Sequence, residues 1–276
     1  MKKLPSWIPA VATAAALIGL SIAEVRRPLR RTRQEKTRRF ARNLTIGVIS
    51  TVVTGALQIP LLAPVARRTA ERRLGLLHAL PLPRVARVAG GVLLLDYTLW
   101  WWHWLNHEWP PLWRFHLAHH VDLDLDASTG LRFHFGEMAL SVLFRAGQFR
   151  LLGIDPLAAS IWQATLLVSI VFHHSNVRLP ESFERRLASW ITTPRMHGIH
   201  HSGIRDETDS NWSSLLSWWD HLHGTFRLDI PQEAVTIGVP AWQDSREVTL
   251  GRVLALPFEE QRDDWADRNG VKRLTR

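Results

Sequence analysis

The chain has no cysteine among its 276 residues, which excludes disulfide bonds, thiolate metal sites, iron–sulfur clusters and cysteine nucleophiles. Any metal ion must therefore be held by histidine, aspartate, glutamate or backbone oxygen atoms. The chain has no His-Glu-x-x-His motif, because a tryptophan and two prolines follow His107-Glu108. It has no Glu-x-x-His motif either, which argues against the carboxylate type of di-iron bundle. A metal site in this chain would be built mainly from imidazole.

A nucleic-acid-binding function is not indicated, although the net charge at pH 7 is +9. The arginine residues flank apolar segments and do not interleave with a DNA- or RNA-reading motif. Hydrophobic residues make up 46% of the chain, while its mean hydropathy is only −0.07. This combination is typical of a protein that lies partly in lipid and partly in water. Positive charge beside apolar segments favours contact with anionic lipid head groups.

Several apolar segments predict membrane helices. Crossing a bilayer takes roughly 20 residues. The segments that predict spans or a helical hairpin are residues 7–23, 44–65, 85–105, 138–152 and 157–172. We interpret the first as a retained helix rather than a signal peptide, because it has no convincing cleavage site. The last two predict a hairpin around the Gly153-Ile154-Asp155-Pro156 turn.

The orientation of the second segment stays open. Residues 26–42 carry nine lysines and arginines, which predicts a cytoplasmic position for this loop. Five arginines also follow residues 44–65, at positions 67, 68, 72, 73 and 84. The second segment could therefore cross the membrane or re-enter it, and Pro60 and Pro64 are expected to kink or end its helix.

The predicted fold is an all-α integral membrane protein whose apolar helical hairpins carry a cytoplasmic, histidine-rich helical domain. Its organisation is predicted as N-terminal membrane helices with a basic loop at residues 1–85, a catalytic domain at 86–230 and a cytoplasmic tail at 231–276. Short strands are expected around residues 235–237 and 247–250.

The histidines are concentrated in one region, since eleven of the 14 fall between His103 and His201. Positions i, i+3 and i+4 share one face of a helix, so each cluster directs two or three imidazoles to one side. The clusters are the pair His103 and His107, and the triads His116, His119, His120 and His197, His200, His201. Neutral imidazole is a common ligand for zinc, iron, copper and nickel. Convergent clusters of this kind predict one metal-rich centre, with a turn at Pro110-Pro111 bringing the first two together.

Other polar residues are candidates for supporting roles. His134 could be a metal ligand or a hydrogen-bonding residue of the pocket. Metal-bound imidazoles usually donate their second N–H group to an acceptor. The candidate carboxylate acceptors are Asp96, Asp122, Asp126, Glu137 and Asp220. The tryptophans at positions 100, 101, 102, 104, 109 and 113 are interpreted as an aromatic belt at the membrane surface.

These motifs resemble the fatty acid hydroxylase / sterol desaturase superfamily of integral membrane oxygenases. The similarity covers residues 96–226, nearly half of the chain. It begins with Asp96-Tyr97, followed by Trp101, His103 and His107, and continues with Leu112-Trp113-Arg114-Phe115-His116-Leu117-Ala118-His119-His120. It includes Thr129-Gly130-Leu131-Arg132-Phe133-His134, then Phe172-His173-His174-Ser175-Asn176, and finally Pro194-Arg195-Met196-His197-Gly198-Ile199-His200-His201. Trp104 and Trp212 depart from the residues usual in the family, but neither removes a histidine.

The resemblance implies a cytoplasmic centre of two iron ions and O2-dependent attack on an unactivated C–H bond of a fatty-acyl, sterol or related lipid. The implied ligands are His103, His107, His116, His119, His120, His134, His174, His197, His200 and His201. His174 is preferred over His173 because the histidine before Ser-Asn is the recurrent one in the family. Electrons would come from a separate ferredoxin, cytochrome b5 or reductase, and the protein would lie in a bacterial inner membrane as a multi-pass protein.

Three alternatives stay open at this point. The sequence does not distinguish hydroxylation from desaturation, because that choice depends on ångström-scale placement of the substrate. A non-catalytic membrane metal-binding or metal-handling protein is a different class, which would need ligands spread along a path. A zinc-dependent membrane hydrolase would need a glutamate base beside paired histidines, and none is present.

Overall fold

The computed structural model describes Pro5 and residues 7–262. Within these residues all regular secondary structure is helical, and no strand is present apart from isolated bridges. The α-helices, in chain order, are α1 (Trp7–Arg26), α2 (Lys36–Leu57), α3 (Ala63–Glu71), α4 (Leu76–Ala79), α5 (Arg84–Glu108), α6 (Pro110–His120), α7 (Phe135–Gln148), α8 (Pro156–His174), α9 (Glu181–Ala188), α10 (Pro194–His200), α11 (Arg205–Thr208), α12 (Trp218–His223) and α13 (Leu250–Ala255). π-helical turns occupy Gln58–Leu62 and Phe149–Gly153, and 3-10 turns occupy Ala127–Leu131, Pro240–Trp242 and Leu256–Phe258.

Three helical segments of the described residues are long and apolar enough to cross a membrane: Trp7–Arg26, Lys36–Ala79 and Pro156–His174. They contain three of the predicted apolar segments. The predicted third segment is also helical, as α5. However, α5 does not meet the same hydropathy criterion. Its polar residues Asp96, His103 and His107 lie on the face that is buried inside the protein.

Helix α2 does not stop at Pro60. The chain continues from α2 through the π-helical turn Gln58–Leu62 into α3, so the segment does not fold back on itself there. Proline lacks an N–H donor and its ring clashes with the carbonyl four residues earlier, and the wider π turn accommodates Pro60. Pro64 lies in the first turn of α3, where its missing N–H group costs nothing.

The same use of proline starts the helices that carry histidines. Pro110 and Pro111 begin α6 directly after α5 ends, and Pro194 begins α10. Asp155 caps α8 by accepting a hydrogen bond from the Leu157 N–H group, with Pro156 in the first turn. These local signals define the starts of α6, α8 and α10, three of the helices that carry histidines.

The helices enclose a cavity because α7 and α8 pack on different partners. Helix α8 packs against α1 and α5, whereas α7 packs against α2. The predicted hairpin is thus present, but its two arms separate. At its turn, Gly75 and Gly153 both adopt positive φ angles of 95° and 75° and their backbones touch, so a Cβ atom at either position would collide with the other segment.

The C-terminal stretch is part of the core up to residue 262, and residues 263–276 lie outside the described part. Val239, Trp242, Val248, Val253 and Leu256 pack with buried side chains of α2 and α6 in one apolar cluster. The strand prediction for residues 235–237 and 247–250 was wrong. Within the described residues the first segment makes only an isolated bridge between Ser202 and Ile237, because no neighbouring strand is available for it.

Part of the basic loop is buried instead of facing lipid. Arg39 forms ion pairs with Asp122 and Asp126, and its guanidinium also donates to Thr129 Oγ1 at 2.6 Å. Arg42 reaches Asp122 at 3.1 Å. Burial alone would raise the pKa of Asp122, but the neighbouring arginines, Arg39 foremost, hold it well below its usual range. These pairs join the start of α2 to the loop that follows α6.

Candidate metal centre

The histidine clusters converge on one buried region at one end of the helical bundle. Each residue of this region offers a nitrogen that lies within 4.8 Å of the others in its group. Group 1 consists of His103, His107, His116, His120 and His200, and group 2 consists of His119, His174, His197 and His201. All nine side chains are buried. The structure therefore brings together nine of the ten histidines that were predicted as ligands.

Each triad is divided between the two groups. In α6, His116 and His120 point to group 1, while His119 points to group 2. In the second triad, His200 belongs to group 1, and His197 and His201 belong to group 2. In both triads the residues at i and i+4 belong to the same group, and the residue at i+3 belongs to the other group. One pair of short helices thus serves two adjacent sites.

Backbone carbonyls orient three of the imidazoles. Nδ1 of His103 lies 2.7 Å from the Trp212 carbonyl oxygen, and Nδ1 of His200 lies 2.8 Å from that of Ser210. Nδ1 of His174 lies 2.7 Å from the carbonyl of Ile170, one turn earlier in α8. An Nδ1–H donor in these contacts leaves a lone pair on Nε2, which is the form that binds a metal.

The nitrogen positions in group 2 fit a shared cation. Nε2 of His174 lies 3.0 Å from Nε2 of His119 and 2.9 Å from Nε2 of His197, which is in turn 3.1 Å from Nε2 of His201. Two nitrogens bound at about 2.0–2.1 Å and at a right angle to each other lie about 2.9 Å apart. Because His174 has its proton on Nδ1, its Nε2 cannot donate to either neighbour. A metal ion would satisfy these lone pairs.

Group 1 has buried nitrogens with no hydrogen-bond partner among the described residues. They are Nε2 of His107, His116, His120 and His200. Buried polar atoms are normally paired, so four such atoms within one group require a ligand. The donor set of neutral imidazoles, without thiolate, suits a non-haem iron or another borderline divalent ion.

Burial keeps several of the grouped imidazoles neutral. It lowers the pKa of His119, His120 and His201 well below the usual value, and neighbouring imidazoles lower it further. Burial lowers the pKa of His200 to about 3, although the Ser210 carbonyl acts in the opposite direction. The ligand nitrogens of these four histidines are therefore unprotonated at neutral pH, as metal binding requires.

One of the five candidate carboxylates contacts a grouped histidine. Glu137 Oε2 lies 3.1 Å from Nδ1 of His116, at the start of α7. Asp220 instead accepts hydrogen bonds from the backbone N–H groups of Trp212 and Ser213, and so positions the carbonyl that binds His103. Asp96 accepts from Leu216 N and Trp219 Nε1, and the other two pair with Arg39.

His134 lies apart from both groups. Its Nδ1 accepts a hydrogen bond from the Gly136 N–H group at 3.0 Å, and its Nε2 lies 3.2 Å from the Leu254 carbonyl. It caps α7, and both ring nitrogens are engaged. His173 is buried, and its ring centroid lies 4.2 Å from that of His197, but it belongs to neither group.

Aromatic rings that the sequence did not single out as partners pack on the imidazoles. The Phe133 ring stacks on His119 with centroids 4.5 Å apart, and Trp212 contacts His103, His107 and His200. The tryptophan belt is also partly internal, since Trp100 donates to Asp220 and Trp102 lines the cavity. Only contacts between distant segments reveal these roles, and no local motif indicates them.

A cavity of about 430 Å³ extends from the histidines along the helices. Its histidine end includes His103, His116, His119, His173, His174 and His197. The walls are mostly apolar side chains of α2, α5, α7 and α8. Leu44, Val48 and Val52 of α2 line it and are also exposed on the outer surface of the helix bundle. The volume falls in the usual range for a small-molecule or cofactor pocket.

This combination defines a class: a helical membrane protein with two adjacent buried histidine groups, each able to hold a metal ion, at the end of an apolar cavity. The model of the fatty acid hydroxylase family matches residues 88–225, half of the chain. The chain belongs to the fatty acid hydroxylase family.

Curated relatives agree with this family. Ornithine lipid hydroxylase from Rhizobium tropici is 31% identical over 158 residues, which cover 57% of this chain and 46% of the relative. Alkylglycerol monooxygenase from Homo sapiens is 28% identical over 52% of this chain and 31% of the relative. Cholesterol 25-hydroxylase from Rattus norvegicus is 26% identical over 56% and 52%. The chain thus spans about half or less of each of these relatives. No solved structure matches the chain significantly.

Proposed function

We propose that this protein is a membrane-bound oxidoreductase that uses O2 and two iron ions to oxidise a C–H bond of a fatty-acyl, sterol or related lipid. The observation that carries the proposal is that the apolar cavity ends at the two histidine groups. A lipid chain in this cavity would place a carbon beside the metal ligands. The names of the relatives, which are hydroxylases and a monooxygenase of lipids, favour hydroxylation over desaturation.

Each histidine group would hold one iron ion. His103, His107, His116, His120 and His200 would hold the first, and His119, His174, His197 and His201 would hold the second. When bound, the two ions would supply the activation of O2 that C–H oxidation needs. His103 and His116 of the first group and His119 of the second also line the cavity, so a lipid chain bound there would lie beside both groups.

The side chains around the centre would hold the ligands and exclude water. Glu137 and the carbonyls of Trp212 and Ser210 fix the imidazole orientations, which keeps the binding nitrogens in place. Phe133 covers the ring face of His119, and Trp212 makes edge contacts with His103, His107 and His200. Removal of water from the site protects a reactive centre from side reactions.

The partners follow from the chemistry. The lipid substrate would reach the cavity from the bilayer along α2, where lining residues are exposed. Electrons would come from a separate ferredoxin, cytochrome b5 or reductase. The metal centre lies at the end of the bundle that carries the basic loop between α1 and α2, and the charge of this loop supports a cytoplasmic position. We propose a multi-pass position in a bacterial inner membrane.

We propose residues 86–230 as the catalytic domain, preceded by the membrane helices of residues 1–85. Residues 239–256 of the C-terminal segment support the ligand helix α6 through the apolar cluster described above.

The test is the metal content of the detergent-purified protein, wild type beside the His119→Ala/His200→Ala double variant, with Mössbauer spectroscopy on iron-57-grown cells. The variant removes one ligand from each group. We expect about two irons per chain in the wild type and a large loss in the variant. The control is His221→Ala, because His221 stacks on Phe226 on the surface and belongs to neither group.

Two results would contradict the proposal. The first is zinc that iron reconstitution does not displace, which would favour a hydrolase. The second is an iron-loaded protein that consumes no O2 when lipid and a chemical reductant are supplied, which would favour metal handling. Lipid analysis of cells with and without the protein would then identify the product of an active enzyme.

A further inference from the structure

The cavity has a second polar end, far from the histidines. Along α7, Glu137 at the metal end and Arg145 both line the cavity. They are separated by eight residues of helix, or about 12 Å at the α-helical rise. Along α8, Trp162 and His174 both line it and are separated by about 18 Å. The remote end is therefore about 12 to 18 Å from the metal ligands.

Arg145 is the only lysine or arginine among the residues that line this cavity in the described part of the chain. Its guanidinium carbon lies 5.0 Å from the centre of the Trp162 ring, in a cation–π contact. Among the described residues no carboxylate forms an ion pair with it. Glu137, the one carboxylate of the cavity wall, is held at the other end by His116.

Amide side chains surround the same end. Gln58 and Gln163 line the cavity and offer further N–H donors. Gln58 is the first residue of the π-helical turn that follows α2. Gln148, the last residue of α7, already donates to Thr98 Oγ1 at 2.6 Å. A half-buried guanidinium without a counter-ion in an apolar cavity has a high desolvation free energy, and an anion beside it would offset that free energy.

We propose that Arg145 binds the anionic head group, a carboxylate or a phosphate, of a single-chain lipid whose tail points to the metal centre. This inference rests on the proposed function and names its substrate class. A guanidinium presents paired N–H donors that match either anion. An extended alkyl chain advances about 1.25 Å per carbon, so the separation of about 12 to 18 Å, taken from the helical rise, corresponds to roughly ten to fourteen carbons between the head group and the oxidised carbon.

The experiment measures the binding of three probes to the detergent-purified, metal-loaded protein. Tetradecanoate and tetradecyl phosphate carry the two anions, and tetradecanol is the neutral probe of the same chain length. We compare Kd for the wild type, Arg145→Gln and Arg145→Lys. Each probe partitions into micelles equally for every variant, so changes between variants report contacts with the protein.

We expect Arg145→Gln to raise Kd at least about tenfold for one or both anions, since charge-assisted hydrogen bonds are lost. The Kd for tetradecanol should change less than about twofold. Arg145→Lys keeps the charge but loses the paired N–H donors, so it should weaken binding of the anions less than Arg145→Gln does, and still more than binding of the alcohol. An effect on tetradecanoate alone assigns a carboxylate, and an effect on tetradecyl phosphate alone assigns a phosphate. The matched control is Arg150→Gln, because Arg150 is exposed on the same hairpin and does not line the cavity.

An equal rise in Kd for all three probes in Arg145→Gln would overturn the inference, because it would indicate a packing role only. An unchanged Kd for every probe would overturn it as well. If Arg145→Gln does not fold, the comparison of Arg145→Lys with wild type tests the inference. Lysine has a single ammonium group in place of the paired guanidinium donors, so Kd should rise more for the two anions than for tetradecanol. These measurements need no turnover. Anion preference without lipid oxidation would refute the proposed function alone, and oxidation without anion preference would refute this inference alone.

Discussion

Glu137 and His116 are joined across the start of α7 by a contact of 3.1 Å between Oε2 and Nδ1, which links the cavity wall to group 1. It is the one carboxylate–imidazole contact of the two groups in the described part of the chain. The other oriented histidines use backbone carbonyls, which mutation cannot remove. Glu137 is therefore the place where the support of a ligand can be tested by substitution.

Glu137→Leu should weaken metal binding to group 1 by about 10- to 100-fold, because His116 loses the partner that orients it. Competition with a chelator, followed by elemental analysis, would measure the change. Glu181→Gln is the control, since Glu181 is exposed and pairs with Arg185 on α9. An unchanged affinity in Glu137→Leu would show that the packing of α6 alone holds His116.

The two groups should lose metal separately. His107→Ala removes a ligand of group 1 only, and His174→Ala removes a ligand of group 2 only. We expect each variant to retain about one of two irons. The Mössbauer parameters of the remaining ion should differ between the two variants, because it is held by group 2 in one and by group 1 in the other. Loss of both ions in both variants would instead indicate one cooperative cluster.

His134→Ala tests the ligand prediction that the structure separates from the rest. Since both ring nitrogens are engaged by Gly136 and the Leu254 carbonyl, we expect full metal content. The helix cap is lost, so the free energy of unfolding should fall by about 1 kcal/mol. Thermal melting and elemental analysis on the same sample would distinguish the roles. A loss of one metal ion would restore His134 as a ligand.

Arg39→Met should destabilise the fold by about 3–5 kcal/mol, because Asp126 loses its buried counter-ion and Asp122 keeps only its pair with Arg42. The measurement is thermal or denaturant unfolding in detergent. Arg38→Met is the matched control, since Arg38 is the adjacent residue and is exposed. Similar unfolding of the two variants would contradict the assignment of Arg39 as the residue that joins α2 to the loop after α6.

Asp209 should make stability depend on pH. Burial raises its pKa to about 6, and Arg205 offsets the effect only in part. A carboxyl group with a raised pKa in the folded state favours folding below its ordinary value of 3.8, and this contribution is lost as the pH rises through about 6. The Tm of Asp209→Asn relative to wild type should therefore increase between pH 4 and pH 7.

The control for this pH series is Asp206→Asn, on the same short helix and exposed. We expect its Tm difference from wild type to stay nearly constant over the same range. A constant difference for Asp209→Asn would show that Arg205 compensates the burial of the carboxylate fully.

Much of the fold and the candidate site followed from local pattern. The spacing of His116, His119 and His120 predicted a shared helical region, and Pro110-Pro111 predicted the turn that precedes it. The length of the apolar segments predicted the membrane helices, because a helix must be apolar over roughly 20 residues to cross a bilayer. Periodicity of this kind depends only on residues close in the chain, so one sequence is enough to read it.

Tertiary structure decided which histidines act together. No local rule divides His119 from His116 and His120, and the partition follows from which histidines of α5, α8 and the α10 segment lie beside each of them. The sequence also did not indicate that Glu137, and not Asp122, contacts a histidine. In the fold Asp122 forms an ion pair with the buried Arg39, and Glu137 contacts His116. The wrong strand prediction for residues 235–237 and 247–250 has the same origin, because strands need a neighbour. Helix pairing, cavity shape and the isolation of Arg145 are properties of contacts between distant segments, and only the folded chain contains them.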